Sequence, residues 1–207
     1  MTYSTMALAD LLDAFASTDP VPGGGSASAV AGALGASLLM MVAAMPKTKS
    51  GTPEETADLA AAGARLRPLR DQLTALVDKD SEAYNQVVDA FKLPKGTDEE
   101  KTSRKAAIQV ATKMATEVPL DTLRACRDAI RHALIVARSG NRNAASDVGV
   151  ALELLVAGAK GATLNVDINL GSITDEAYVE RTRWERQDLE RTAVEEAARA
   201  RALLTTA

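Results

Sequence analysis

A charge-free stretch between Asp19 and Lys47 restricts the fold of this chain more than any other feature of its sequence. It opens with PVPGGGS and continues as a long run of Ala, Gly, Ser, Leu, Met and Val. Such a stretch is typical of a membrane span, a phosphate-binding loop or a buried helix. Its small residues favour the buried helix, because a lone membrane span would carry more Leu, Ile or Phe and an aromatic belt. We expect a helix whose neighbours approach it closely.

The PGGGS segment, Pro22 to Ser26, predicts a ligand site at the start of that helix. It has no Lys for a phosphate loop, and it follows an amphipathic segment rather than a strand, so neither nucleotide-binding fingerprint fits. Gly23, Gly24 and Gly25 leave backbone N–H groups uncovered at the positive end of the predicted helix. The pattern favours a site for an anionic or carbonyl oxygen. The alternative is a flexible linker.

Length, composition and charge exclude several classes of protein. The chain has 207 residues, 46% of them hydrophobic, which is enough for one domain over residues 1–207 with a sizeable core. The net charge is −4, and basic residues are interleaved with acidic ones, so the sequence predicts no basic surface of the kind that binds nucleic acid. No basic segment precedes the first apolar run, and the single Cys126 fits a reducing compartment. We expect a cytoplasmic protein that binds neither nucleic acid nor membrane.

Apolar residues recur at helical spacing through the rest of the chain. Capping-box patterns at Thr52 and Thr97 predict the starts of two long helices, and Gly140 predicts the end of the second. In residues 164–170, apolar and polar side chains alternate as they do in a strand. The sequence predicts no second strand to pair with this segment, and the segment continues a helical one. We therefore expect a helix. The sequence therefore predicts an all-α, multi-helix bundle with about seven to nine helices.

Asp80 interrupts the apolar stripe of the first long helix, and Tyr84 follows it by one turn on the same side. A buried carboxylate without a partner costs several kcal/mol by usual estimates, so Asp80 needs a cationic ligand, a paired side chain or a wet cleft. One alternative is an ordinary salt bridge with Arg65 or Arg124. The sequence leaves both readings open.

A second polar interruption begins at Asp147. If the following helix is continuous, Asn165 lies directly in line with Asp147, and Asn169 follows one turn later. Carboxamides at this spacing can contact a flat heterocycle, but Asp and Asn also cap helix ends. With one His, His132, and one Cys, the chain offers no His/Cys metal cluster, so we predict no metal site.

Three long segments resemble the cyclodeaminase/cyclohydrolase family. They are PVPGGGSASAVAGALGASL (20–38), DKDSEAYNQVVDAFKLPKGTDEEKTSR (78–104) and GNRNAASDVGVALELLVAGAKGATLNVDINL (140–170). They occur in the family's order and spacing, and the resemblance runs over nearly the whole chain. The segment AMPKTK (44–49) departs from the family, which more usually carries Thr and a Gly-Lys pair there. We therefore assign no role to Lys47 or Lys49.

The resemblance implies an all-helical, dimeric enzyme that acts on a tetrahydrofolate derivative at its N5/N10 bridge, without a metal or organic cofactor. Two reactions fit: hydrolysis of 5,10-methenyltetrahydrofolate, and release of ammonia from formiminotetrahydrofolate. We favour the cyclohydrolase because the chain lacks the transferase domain of the bifunctional relatives. A non-catalytic folate-binding or helical interaction protein is the alternative of another class.

The resemblance also gives chemical roles to the unusual polar residues. Either Asp80 or Asp147 acts as the acid/base, the other stabilises positive charge, and Tyr84 orients one of them. The segment Pro22–Ser26 contacts a folate oxygen or the glutamate tail, and Lys95 attracts a tail carboxylate. The side-chain amides of Asn141, Asn165 and Asn169 are predicted to contact the pterin or the one-carbon group.

Overall fold

The computed structural model describes residues 2–46 and 51–205, and within these ranges the chain is helical without strands. The elements are α1 (Leu8–Ala16), α2 (Gly24–Ala44), α3 (Pro53–Lys92), α4 (Asp98–Ser139), α5 (Ala145–Leu170) and α6 (Glu176–Thr205). Short 3-10 turns lie at Tyr3–Thr5 and Arg142–Ala144. The all-α prediction is confirmed.

The described ranges contain six α-helices. These helices are fewer and longer than the seven to nine that the sequence led us to expect. The difference arises at two prolines, because α3 continues through Pro68 and α4 through Pro119. A proline removes one backbone hydrogen bond of a helix, but packing on both sides can hold the turns in place. Leu66 and Leu73 beside Pro68 are fully buried, which supplies that packing in α3.

The helix starts follow their local signals. Thr52 and Thr97 both form complete capping boxes with the glutamates three residues later. Residues 164–170, which alternate as a strand would, form the last turns of α5 instead. The helix prediction for that segment is confirmed.

Helix α4 lies at the centre of the molecule and contacts α2, α3, α5 and α6. The largest fully buried side chains come from α2 to α5, and they are Leu39, Val42, Leu66, Leu73, Leu120, Leu123, Ile130, Val136, Val148, Leu152, Leu155 and Val166. The outer end of the α3–α4 hairpin differs, because no residue from 91 to 105 is buried. The hairpin end therefore projects from the core.

Helices α2 and α5 pack side by side in antiparallel directions. Gly24 near the start of α2 lies by Asn165 near the end of α5, whereas Gly35 meets Leu155. Cys126 of α4 contacts both helices of this pair and is fully buried, as expected for a small core residue. Small residues at these contacts allow close backbone approach, which confirms the close packing predicted for the charge-free helix.

Among the described residues, α2 is the one helix long and apolar enough to cross a membrane. The core helix of a soluble bundle has the same properties, and Ala29, Ala36, Leu39 and Val42 of α2 are fully buried. The buried side of α2 thus accounts for much of its apolar composition.

Candidate active site

The carboxylate of Asp80 lies against the first turn of α2. The Ser26 backbone N–H donates to Asp80 Oδ2 at 2.8 Å, and Ser26 Oγ lies 2.9 Å from both Asp80 Oδ2 and the Val77 carbonyl oxygen. Burial raises the pKa of Asp80 above its ordinary value, although the bonds from Ser26 pull the pKa down. Asp80 therefore holds a proton more readily than an exposed aspartate.

Gly25 makes room for that carboxylate. A Cβ atom placed on Gly25 would lie 2.6 Å from Asp80 Cγ and even closer to Oδ1, a distance that real Cβ atoms do not reach. Gly23 precedes the first turn as the N-cap, and α2 has no side-chain cap. The glycines thus let a carboxylate from another helix approach the exposed backbone N–H groups, as a ligand oxygen would. The flexible-linker alternative is wrong, because Gly24 and Gly25 belong to the helix.

The ion-pair alternative for Asp80 is also wrong. Within residues 2–46 and 51–205, no lysine or arginine forms a salt bridge with Asp80. Arg124 instead pairs with Asp121 on its own helix and with Glu185 on α6. Asp80 is therefore held by the hydroxyl and the backbone N–H of Ser26 rather than by a salt bridge.

Tyr84 continues the exposed side of α3 beyond Asp80. Asp80, Tyr84, Val87 and Phe91 recur at spacings of three and four and so share one side of the helix. Tyr84 and Phe91 are 41% and 52% exposed. The carboxylate therefore lies at the inner end of an open, partly aromatic stripe that suits a flat ring.

Asn165 and Asn169 lie at the same end of the molecule as Asp80. Asn165 Nδ2 donates to the Gly161 carbonyl, and it lies 3.7 Å from where a Cβ on Gly24 would be. Asn169 Nδ2 donates to the Ala115 carbonyl on α4. Neither side chain caps a helix end, so the capping alternative is wrong for both.

Asp147 and Asn141 lie at the opposite end. Asp147 is in the first turn of α5, inside the helix rather than at its N-cap, so its capping alternative is wrong as well. Asn141 Nδ2 donates to the Pro46 carbonyl and Asn141 Oδ1 accepts from Asn143 N. At 1.5 Å per residue, Asp147 is about 27 Å along α5 from Asn165. One chain therefore does not bring Asp147 and Asp80 into one site.

Pro22 and Lys95 complete the residues predicted for the site. Pro22 is buried just before the glycines. Lys95 is exposed in the loop between α3 and α4, at the projecting end of the hairpin. Lys47 and Lys49 lie outside the described residues.

A cavity of about 550 Å³ opens between the end of α2 and the first half of α3. Among the described residues its lining is mainly Ala, Met, Leu and Pro, with Thr56 and Arg67 as polar groups and no carboxylate. Acid–base chemistry needs a group that exchanges a proton near neutral pH. We therefore locate the candidate active site at Asp80, which is not among the residues that line this cavity.

Two groups that contribute to the Asp80 site could not be predicted from the sequence. The Val77 carbonyl accepts from Ser26 Oγ, and Ser81 Oγ lies 3.4 Å from Ser26 Oγ with its side chain buried. A backbone carbonyl carries no side-chain signature, and a serine inside a helix is ordinary. Their roles depend on the packing of α2 against α3.

Replacing Ser26 with Ala is expected to raise the pKa of Asp80 further. The hydroxyl favours the ionised carboxylate, so its loss disfavours charge while the burial remains. Carbon-13 NMR titration of the Asp80 side chain would measure the change. Ser37→Ala is the matched control, because that hydroxyl donates to Ala33 elsewhere on α2. A downward or absent shift in the Ser26 variant would contradict the assigned hydrogen bond.

Known proteins match most of the chain. Residues 7–188 match the family model described as formiminotransferase-cyclodeaminase. A methenyltetrahydrofolate cyclohydrolase of Methylorubrum extorquens is 46% identical over 169 residues, covering 82% of this chain and 81% of that protein. A formimidoyltransferase-cyclodeaminase of Gallus gallus is 38% identical over 76% of this chain but only 29% of its own length.

The fold is also that of a solved relative. The crystal structure of formiminotetrahydrofolate cyclodeaminase from Thermotoga maritima superposes with a TM-score of 0.86 and 30% sequence identity, covering 97% of this chain and 96% of that one. Both the family model and the cyclohydrolase relative extend over more than two thirds of the sequence. This chain belongs to the formiminotransferase-cyclodeaminase family.

Proposed function

We propose that this protein hydrolyses 5,10-methenyltetrahydrofolate to 10-formyltetrahydrofolate. The observation that carries the proposal is the Asp80 carboxylate, which is half-buried, raised in pKa and placed against the first turn of α2, where it accepts the Ser26 N–H. A base that activates water works best when its pKa lies nearer the working pH than that of an ordinary aspartate. The 46% identity to a protein named methenyltetrahydrofolate cyclohydrolase supports the same reaction.

In the proposed steps Asp80 carries one proton from water to N5, and solvent receives the other. Asp80 takes a proton from water as the water oxygen bonds to the carbon bridging N5 and N10 of the cationic substrate. The bond from that carbon to N5 then breaks, and N5 takes the proton from Asp80. The added hydroxyl loses its proton to solvent as the formyl C=O forms on N10. These steps need only proton transfers and bond changes at the bridging carbon, and the proposal includes neither a metal nor an organic cofactor.

The surrounding groups suit the rest of a reduced folate. The N–H groups of Gly24 and Gly25 lie at the positive end of α2 and can receive a carbonyl or carboxylate oxygen. The stripe from Tyr84 to Phe91 offers an apolar surface for the flat rings. In this proposal Asn165 and Asn169 contact polar ring edges, and Lys95 attracts the glutamate tail.

The second candidate is formiminotetrahydrofolate cyclodeaminase, the activity named for the Thermotoga maritima structure that shares the fold. There N10 attacks the formimino carbon, and the tetrahedral carbon expels ammonia. Asp80 serves this reaction equally, by moving the proton from N10 to the leaving nitrogen. The two activities differ in substrate and share the site.

The deciding experiment follows the ultraviolet band of methenyltetrahydrofolate with and without the purified protein, because this substrate also hydrolyses unaided. Decay faster than in buffer supports the cyclohydrolase. No acceleration, with ammonia released from formiminotetrahydrofolate, would establish the cyclodeaminase instead. Tight folate binding with neither reaction would leave a binding protein on this fold.

The proposed active form is a homodimer. On the side of the α2/α5 pair away from α4, both helices carry apolar or small residues at spacings of three and four. We call this surface the α2/α5 face, formed by Ala27, Ala31, Leu34, Leu38 and Met41 with Val150, Leu154, Ala157, Gly161, Leu164 and Ile168. Leu34, Leu164 and Ile168 are 54%, 70% and 74% exposed. A continuous apolar face of this length is typical of a subunit interface.

A further inference from the structure

The glycine start of α2, Gly23 to Gly25, follows a segment with little packing of its own. Residues 16–20 are all exposed, and α2 has no side-chain cap. In the described ranges, one hydrogen bond joins residues 18–22 to a distant part of the chain, and it runs from the Tyr3 hydroxyl to the Val21 carbonyl at 3.3 Å. The position of the glycine start therefore depends on what holds Tyr3.

Asp78 on α3 binds the backbone of the 3-10 turn Tyr3–Thr5, which we call the N-terminal turn. Asp78 Oδ1 accepts the Tyr3 N–H at 2.5 Å and the Ser4 N–H at 3.3 Å. Asp78 Oδ2 accepts the Ser4 hydroxyl. Three donors on one carboxylate fix the N-terminal turn to α3, two residues before Asp80.

The Tyr3 ring lies between the two helices of the candidate site. It packs against a small buried cluster formed by Ala29 of α2 with Leu76 and Val77 of α3. The carbonyl of Val77 is the one that accepts from Ser26 Oγ at 2.9 Å. Tyr3 is thus bound to α3 through its backbone, to both helices through its ring, and to the loop before α2 through its hydroxyl.

The proposed function needs the N–H groups of Gly24 and Gly25 in a fixed place. A folate oxygen gains most from donors that are already positioned, because ordering a loop on binding costs affinity. The exposed residues 16–20 supply no packing for that purpose. The bond from Tyr3, anchored by Asp78, supplies the constraint from outside the loop.

We propose that Tyr3 and Asp78 are positioning residues that hold the glycine start of α2 where it receives the substrate. Asp78 binds the N-terminal turn, and the Tyr3 hydroxyl holds the Val21 carbonyl two residues before Gly23. This inference rests on the proposed folate chemistry, in which neither residue exchanges a proton. Their loss should therefore weaken substrate binding and leave the proton transfer at Asp80 unchanged.

Hydrogen exchange at Ala27 tests the positioning without activity. The Ala27 N–H donates to the Gly23 carbonyl at 3.0 Å, so its exchange rate reports opening of the first turn of α2. Tyr3→Phe keeps the ring and removes the hydroxyl, and should speed this exchange about 2- to 10-fold. Thr5→Ala is the matched control, because that hydroxyl donates to the Thr2 carbonyl. An unchanged rate in Tyr3→Phe, or an equal increase in the control, would overturn the proposal, whatever the protein does with folates.

Steady-state kinetics test the consequence for the substrate, with whichever of the two folates the wild type converts. Tyr3→Phe should raise KM about 2- to 10-fold, and Asp78→Ala at least about 10-fold, because it removes the acceptor of three bonds. In both variants kcat should stay within about twofold of the wild type. A fall in kcat with KM unchanged would overturn the proposal. If Asp78→Ala does not fold, Tyr3→Phe alone decides.

The conservative variant separates positioning from charge. Asp78→Asn should restore most of the affinity, because its carbonyl oxygen can accept the two N–H groups while its amide donates to the Ser4 hydroxyl. Binding as weak as that of Asp78→Ala would contradict the positioning role. Calorimetric Kd values for 5-formyltetrahydrofolate should follow KM across the variants. A wild type that binds this folate and converts neither substrate would refute the proposed reaction alone, and one that does not bind it would overturn both proposals.

Discussion

Replacing Asp80 with Asn is expected to lower kcat by about 10²–10⁴-fold, the usual contribution of a positioned acid or base. An amide of the same shape can still accept the Ser26 bonds but cannot take a proton from water. KM should change far less than kcat. Steady-state rates of methenyltetrahydrofolate hydrolysis, corrected for the reaction in buffer, would measure both constants.

The same variant should fold at least as stably as the wild type at neutral pH. Because the pKa of Asp80 is raised on folding, the carboxyl favours the folded state when protonated, and that advantage is lost as the pH rises through its folded pKa. An amide does not ionise, so it avoids the cost of burying a negative charge at neutral pH. Glu82→Gln is the matched control, since Glu82 is exposed on another side of α3. Equal activity losses in both variants, or a melted Asp80 variant, would contradict a catalytic role for Asp80.

Gly158→Ala is expected to lower the free energy of unfolding by about 1–3 kcal/mol, as overpacking in a core does. A Cβ there would lie 2.8 Å from the Ser28 carbonyl oxygen and 3.1 Å from Gly32 N, both backbone atoms of α2. The helices would have to separate to admit it. At about 2–4 °C per kcal/mol for a chain of this size, the melting temperature should fall by several degrees in calorimetry.

Gly149→Ala on the same helix is the matched control. Among the described residues, a Cβ at Gly149 would meet only Leu204 Cδ1, at 4.0 Å. There the better helix propensity of Ala should prevail and stabilise the protein by about 0.5–1 kcal/mol. Equal effects at the two glycines would show that helix propensity, and not the close contact of α2 with α5, determines both.

Gly158 and Gly149 differ in their surroundings in a way that the sequence does not predict. The Ala- and Gly-rich composition of α2 and α5 predicts close packing of helices in general. It does not say which glycine faces a neighbouring backbone, because that depends on the rotation of each helix about its own axis. Gly158 faces α2 and Gly149 only touches the end of α6, although both lie in the same helix.

The candidate site shows the same division. The sequence identified Asp80 as an unusual carboxylate and Gly23 to Ser26 as an unusual helix start. It left the partner of Asp80 open between an arginine and a ligand. The hydrogen bonds between Ser26 and Asp80 join positions 54 residues apart, and no local pattern encodes that contact.

The sequence by itself determined the all-α class, the starts of α3 and α4, and the helical state of residues 164–170. These depend on capping and periodicity within a few residues. Only the tertiary structure decided that Asp80 and Asn165 share one end of the bundle while Asp147 and Asn141 lie at the other. Which ends of long helices meet depends on the direction in which they pack, and that direction is set by contacts between distant segments.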